Sequence, residues 1–236
     1  MQNYLHYFLP TYCALCKTAS KTGICSACQE DFINDQQHRC SICAIPIVDQ
    51  KAKICGRCLK SPPHFDTTIA CTDYLAPIDS IVLGLKFAGN LSYASIIAQQ
   101  LHDRIKHPLN TQYNLAAIIC PVPLSPQRLR TRGFNQALEI ARPLSTQLAI
   151  PLQAQLLWRI KDTQQQSRLH PDERYQNVQH AFAINPRLMH LIEGQHFGLV
   201  DDVMTTGTTL NEIAKLLKRY GAARVSNYVF ARTNRD

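Results

Sequence analysis

The spacing of hydrophobic positions changes along the chain, and the changes lay out its elements. Between Pro77 and Ala88 the apolar side chains Ile78, Ile81, Val82 and Leu85 fall at the spacing of a helix with one buried face. Pro77 suits the first turn, where a backbone N–H has no helical partner. A second helix is predicted from Leu91 to His107, ended by Pro108. LAAIICPV, Leu115 to Val122, is a continuous apolar run, the pattern of a strand covered on both faces. Further strands are predicted at Thr68–Tyr74, 152–158, Ala181–Ile184, His196–Asp201 and Val225–Ala231. Helices are predicted at Phe134–Leu148, Pro171–Gln179 and Thr208–Tyr220. Pro143 is expected to kink the first of these, and Gly221 to stop the last. Strands and helices that alternate in this way imply a mostly parallel sheet with helices on both faces. Ligands of such sheets bind beyond the C-terminal ends of the strands.

The first sixty residues follow a different rule. Eight of the ten cysteines form four Cys-x-x-Cys pairs: Cys13/Cys16, Cys25/Cys28, Cys40/Cys43 and Cys55/Cys58. Each pair places two thiolates on one side of a tight turn, and two such turns make a tetrahedral all-thiolate zinc site. An internal repeat is visible, CALC…CSAC and then CSIC…CGRC. The pattern is two zinc ribbons in tandem, with the knuckles paired in sequence order or interleaved. A disulfide scaffold is the first alternative, disfavoured because MQNYLHYFLPTYC lacks the basic and apolar regions of an export signal. Iron is the second. A module this short has little core of its own, so its metals would supply the folding energy. Cys71 and Cys120 sit in predicted strands and read as small core residues. SPPHFDTT, Ser61 to Thr68, reads as a linker. Residues 1–62 are thus a ribbon module and residues 63–236 an α/β domain.

Composition adds little to the fold but bears on partners. Hydrophobic residues make up 45% and charged residues 18% of the 236, the balance of a soluble globular protein with no membrane insertion expected. Lys and Arg exceed Asp and Glu by 25 to 17, a net charge of +8, which suits a polyanion such as nucleic acid or a phosphorylated substrate. An unspecialised basic surface is the plainer alternative.

The chemistry concentrates in FGLVDDVMTTGTTL, Phe197 to Leu210. A buried strand runs into two carboxylates and then into a loop of small hydroxyl residues that opens a helix. Free N–H groups and the helix dipole favour an anion there; Gly207 permits close approach, and threonine hydroxyls add donors. No Gly-x-x-x-x-Gly-Lys is present, so this is a monophosphate cradle rather than a P-loop. Two carboxylates beside an anion site make sense when the ligand carries a phosphate at one end and a diol a few ångströms away, as ribose 5-phosphate does. An ordinary Asp-Asp strand end followed by a threonine N-cap would leave the full run unexplained.

At these residues the chain resembles the phosphoribosyl-pyrophosphate (PRPP) motif of type I phosphoribosyltransferases. The resemblance widens through LKFAG (Leu85–Gly89), PVPL (Pro121–Leu124), RLRTRGFNQA (Arg128–Ala137), Arg159 with TQQQS (Thr163–Ser167), and ERYQNVQHAF (Glu173–Phe182). With the Cys-rich ribbons before them, these occur in the order of the ComF family, a bacterial competence and DNA-utilisation group that includes GntX-like proteins. Asn90 departs from it, where the family often has Asp.

The resemblance implies a type I phosphoribosyltransferase-like domain behind a double zinc ribbon. Asp201 and Asp202 would bind the ribose hydroxyls, with Val203, Met204, Thr205, Thr206, Gly207, Thr208 and Thr209 forming the 5-phosphate loop. Pro121, Val122 and Pro123 would form the pyrophosphate loop, and Mg²⁺ would come with PRPP. Lys86, Arg128 and Arg132 are candidate PRPP contacts, with Arg130 a further member of the cluster; a solvated or DNA-binding basic face is the alternative. Asn135 and Gln136 are either ligand amides or packing residues. Lys161–Arg174 resembles the mobile lid of the fold, or else is a plain exposed loop. His170 reads as a surface or core residue and Trp158 as a core aromatic.

Two functions follow from the resemblance. One is a cytoplasmic protein of natural transformation and DNA utilisation that binds PRPP-Mg and single-stranded DNA, with a DNA-uptake helicase or other competence proteins as partners. The other is an active enzyme that transfers phosphoribose to a nitrogenous nucleophile and releases pyrophosphate.

Overall fold

A computed structural model describes residues 12–33, 37–107, 114–160 and 181–234. The expected helix at Pro171–Gln179, the lid-like segment Lys161–Arg174 and His170 lie outside them. The ribbons contribute two short helices, α1 (Ser26–Phe32) and α2 (Gly56–Lys60). The α/β part follows as β1 (Thr67–Asp73), α3 (Ile78–Phe87), α4 (Ser92–Lys106), β2 (Ile118–Pro121), α5 (Pro126–Arg132) and α6 (Gln136–Leu148). It continues with β3 (Leu157–Arg159), β4 (Phe182–Ile184), β5 (His196–Met204), α7 (Thr208–Arg219) and β6 (Arg224–Arg232). Strands β1, β6, β5 and β2 form one sheet in that order, every pair parallel.

Period-two alternation sends neighbouring side chains of each strand into different cores. Ile69, Cys71, Ile119, Val200, Tyr228 and Phe230 pack with α3, α4 and α6 on one face. Ala70, Cys120, Phe197, Leu199, Val225 and Val229 pack with α7, β3 and β4 on the other. The ribbons divide in the same way: Cys13 and Cys28 join the first core, and Cys40, Cys43 and Cys58 the second. Each ribbon is therefore built into one face of the sheet. Cys71 and Cys120 are core thiols as expected, and burial pushes Cys71 up to about 12.

Several expectations are corrected. The strand expected at 152–158 is divided. Leu152 bridges Ile119 at the β2 edge of the sheet, while Leu157–Arg159 pairs antiparallel with β4 in a separate two-stranded ribbon. In that ribbon Leu157 and Arg159 turn inward, so Trp158 turns outward and is 46% exposed rather than a core aromatic. Helix α6 includes Pro143, with Ile140, Ala141, Leu144 and Leu148 buried on both sides of the missing N–H. Strand β5 does not stop at Asp201; it continues to Met204 because β6 pairs with it as far as Met204↔Arg232.

Candidate functional site

The continuation of β5 is what carries the acidic pair into the site. On its other side β2 stops pairing at Pro121↔Val200, so Asp201 and Asp202 project past the end of that neighbour. A cleft of about 930 Å³ opens there. Val122, Pro123, Arg128, Arg132 and Gln136 form one wall; Tyr74, Leu83, Lys86 and Phe87 form another; Asp201, Asp202, Val203, Thr205 and Thr209 lie between them.

Local sequence explains each wall. Ser125 caps α5, its hydroxyl accepting from Arg128 N at 3.4 Å, and Pro126 occupies the first turn. Gly133, at φ 82°, ends the helix after seven residues. Arg128 and Arg132, four apart, therefore share the face that lines the cleft, while Arg130 is exposed and does not line it. The residues were legible as a cluster, but the helix that sorts them was not predicted. Asn135 caps α6 by accepting from Ala137 N at 3.1 Å, and its amide donates to Val122 O at 3.1 Å. It thus holds the loop after β2 rather than facing the cleft. The C-terminal end of α3 supplies Lys86 and, next to it, Phe87, which is not among the expected PRPP contacts.

Charge in the cleft is organised around Asp202, which is 2% exposed. Lys86 Nζ forms an ion pair with Asp202 Oδ2, and Gln136 Nε2 donates to Oδ1 at 3.2 Å. Arg132 Nη1 in turn donates to Gln136 Oε1, and its guanidinium lies 5.6 Å from the Phe87 ring centroid. Burial alone would lower the Lys86 pKa, but the charge and hydrogen bond of Asp202 outweigh it and leave it raised. Burial lowers that of Arg132. Among the described residues no cation is paired with Asp201 in this way. Burial, followed by the charge of Asp202, pushes its carboxyl well above the ordinary range. The two acids differ accordingly: Asp202 is a paired anion, and Asp201 is poised to take a proton or a cation.

This asymmetry predicts that Asp201→Asn stabilises the protein at pH 7. A carboxyl with a raised folded pKa loses stability as pH rises from its ordinary value of 3.8 through the folded value, and Asn does not titrate. Thermal unfolding should show a midpoint about 2–4 °C higher at pH 7, the equivalent of about 1 kcal/mol at this chain length. The gain should close as pH falls below 3.8. An unchanged or lower midpoint at pH 7 would count against the asymmetry.

The hydroxyl loop follows β5. Thr206 Oγ1 and Thr208 Oγ1 lie 2.7 Å apart, and Thr208 N donates to Thr206 Oγ1 at 3.4 Å. Gly207 has φ 80°, a left-handed backbone that strains any residue with a side chain and favours glycine. Thr205 and Thr209 face the cleft, whereas Met204, 2% exposed, packs beneath the loop. Pro121 is likewise buried in β2 and leaves the lining to Val122 and Pro123. Arg159 also lines the cleft, 5.4 Å from the Phe182 centroid.

Apart from the cleft, the cysteines form two four-membered groups, Cys13/Cys16/Cys25/Cys28 and Cys40/Cys43/Cys55/Cys58, with the ligand atoms of each group within 4.8 Å of one another. This is the sequential pairing, and all eight are free thiols. The Cys16–Cys25 and Cys43–Cys55 sulfurs lie 3.6 and 3.7 Å apart. Tetrahedral zinc with bonds of about 2.3 Å calls for about 3.8 Å. Cys13 and Cys40 sulfurs accept from the amides of Cys25 and Cys55 at 3.4 and 3.3 Å. Lys17 and Ala44, each just after its knuckle, share a left-handed backbone at φ 63° and 59°. The donors and spacing fit structural zinc at both sites.

Comparison with known proteins agrees with this organisation. The double zinc ribbon domain family matches residues 4–59, and the phosphoribosyl transferase domain family residues 135–236. The chain is 34% identical over 229 residues to the DNA utilization protein YhgH of Salmonella typhimurium, covering 95% of this chain and 98% of that protein. It is 33% identical over 214 residues to competence protein F of Haemophilus influenzae, covering 90% and 92% respectively. Among solved structures it is similar to the glutamine PRPP amidotransferase from B. subtilis complexed with ADP and GMP. That match has 18% identity and a TM-score of 0.39, over 59% of this chain and 26% of that one. With two such relatives matched over nearly their whole length, the chain belongs to the ComF family of competence and DNA-utilisation proteins, a double zinc ribbon joined to a phosphoribosyltransferase domain.

Proposed function

We propose that the protein binds PRPP with Mg²⁺ in the cleft and handles single-stranded DNA in the cytoplasm, alongside helicase or other competence partners. Its functional division is that of residues 1–62 and 63–236. The observation that supports this best is the layout of the cleft: carboxylates at the floor, a hydroxyl-lined helix start on one side, and Arg128 and Arg132 on the other. Thr205 to Thr209 would take the 5-phosphate, Asp201 and Asp202 the ribose hydroxyls, and the loop at Val122 and Pro123 with both arginines the pyrophosphate. Mg²⁺ favours oxygen donors and keeps several waters, so Asp201 is the side chain suited to hold it, directly or through water. When bound, the ion neutralises pyrophosphate charge. Lys86 and Gln136 hold Asp202 in place, and Phe87, 66% exposed, gives the cleft an aromatic rim on which a base could stack. That rim also favours the enzymatic reading, in which a base accepts phosphoribose.

Thermal unfolding with and without PRPP-Mg tests the assignment. Ligand at about a hundred times its Kd should stabilise the native state by about 2.7 kcal/mol, and Asp201→Asn/Asp202→Asn should abolish the shift. An equal shift in wild type and double variant would overturn the ribose assignment. Pyrophosphate release with candidate bases separates turnover from binding alone. Fluorescence anisotropy of labelled single-stranded DNA against salt tests the second ligand, with a steep salt slope expected.

A further inference from the structure

The two ribbons repeat one plan but meet different parts of the domain. The first reaches α4 and β1: Gln29 Nε2 donates to Gln100 Oε1 at 2.8 Å, and Thr72 Oγ1 donates to Phe32 O at 2.6 Å. The second reaches the hydroxyl loop itself. Arg57, between the ligands Cys55 and Cys58, donates from Nη2 to Thr206 O at 2.9 Å. The same position of the first ribbon is Ala27.

A second link runs through the core. Arg232, 1% exposed at the end of β6, donates from Nε to Cys43 O at 3.0 Å. Its Nη1 donates to Met204 O at 3.2 Å and to Thr205 O. One buried guanidinium thus joins a carbonyl of the second ribbon, in its Cys40/Cys43 knuckle, to the two carbonyls where the loop leaves β5. Zinc, when bound, would fix the backbone of Cys43 and of the Cys55–Cys58 turn, and these two arginines would carry that fixation to three successive carbonyls at the start of the loop, Met204, Thr205 and Thr206.

We infer that the second zinc site is a buttress of the hydroxyl loop, with Arg57 and Arg232 as the positioning residues that connect them. Losing zinc from this ribbon loosens Thr205 to Thr209, whereas cutting the first ribbon's contact with α4 does not. The ligand consequence rests on the phosphate-binding reading of the loop; the mechanical connection does not.

Hydrogen–deuterium exchange of the ligand-free full chain tests the connection. In Arg57→Ala, amides across 203–211 should exchange about fivefold faster, and Arg57→Lys should recover most of the protection. Cys55→Ser should speed the same segment by about tenfold or more while zinc content falls by one ion per chain. Gln29→Ala, the matched cut in the first ribbon, should leave it within about twofold of wild type. Should Cys55→Ser fail to fold, Arg57→Ala decides alone, since its contact is exposed and its zinc ligands are intact. Exchange in Arg57→Ala within about twofold of wild type, or an equal rise in Gln29→Ala, would overturn the inference. Calorimetry of PRPP-Mg on the same proteins should show affinity falling in the same order. A wild type that binds no PRPP would remove the ligand assignment and leave the exchange result to decide the buttress.

Discussion

Serine in place of Cys40 is expected to lower the unfolding midpoint by about 10 °C or more and to reduce bound zinc by one ion per chain. Structural zinc in small ribbons contributes an apparent 10–16 kcal/mol, roughly the whole net stability of a typical domain. Here the loss would not stay within the ribbon. Cys40, Cys43 and Cys58 share a core with Phe65, Ala70 and Met204. Arg39, next to Cys40, forms an ion pair of 2.8 Å with Asp73 at the end of β1. Thr67 Oγ1 donates to Ser41 O at 2.6 Å within the same knuckle. Releasing that knuckle removes the cover of the sheet face on which β1 and β6 lie. Cys71→Ser, at a buried thiol outside both metal groups, should leave zinc content unchanged. Undiminished zinc in Cys40→Ser, with an unchanged midpoint, would contradict the assignment of Cys40 as a ligand.

Lys86→Met should cost about 3–5 kcal/mol, because it leaves the buried Asp202 carboxylate without its cation. Gln136 still donates one hydrogen bond to it, but a neutral amide does not replace an ammonium group. Adding Asp202→Asn should recover most of the loss, since a neutral pair in the same space no longer carries an unpaired charge. The pH dependence has a definite sign. A lysine raised above its ordinary 10.5 contributes its full stability below that value and loses it as pH rises through the folded pKa. The gap between wild type and Lys86→Met should therefore persist through neutral pH and narrow in strongly alkaline solution. Chemical denaturation of the two single variants and the double variant measures it. Equal stability of Lys86→Met and wild type would show that the ion pair is not what holds Asp202.

The cysteine spacing and the run from Phe197 to Leu210 carried the reading furthest, because each places unusual side chains at fixed short range. Thiolate pairs three residues apart bring their ligands together by local geometry alone, and the order of the pairs then matched the spatial grouping. The sheet was legible because the continuous apolar run at β2 and the shorter apolar stretches within β5 and β6 leave few alternatives. What stayed hidden depends on neighbours distant in sequence. Strand β5 runs past Asp201 only because β6 continues beside it. Trp158 faces outward because its two-stranded ribbon turns Leu157 and Arg159 inward. The cleft contributions of Tyr74 and Phe87 required folding the chain after β1 and the end of α3 against β5. Arg57 and Arg232 carried no local signal; one sits 149 residues from its partner in the loop and the other 189 from Cys43.

The central claim is that the cleft is built for PRPP, and isothermal titration of PRPP into the zinc-replete full chain, with and without Mg²⁺, tests it most directly. Saturable binding near one ligand per chain, strengthened by Mg²⁺ and lost in Asp201→Asn/Asp202→Asn, is the predicted result. Absence of binding by a folded wild-type protein carrying both zinc ions, or binding that the double variant retains in full, would contradict it.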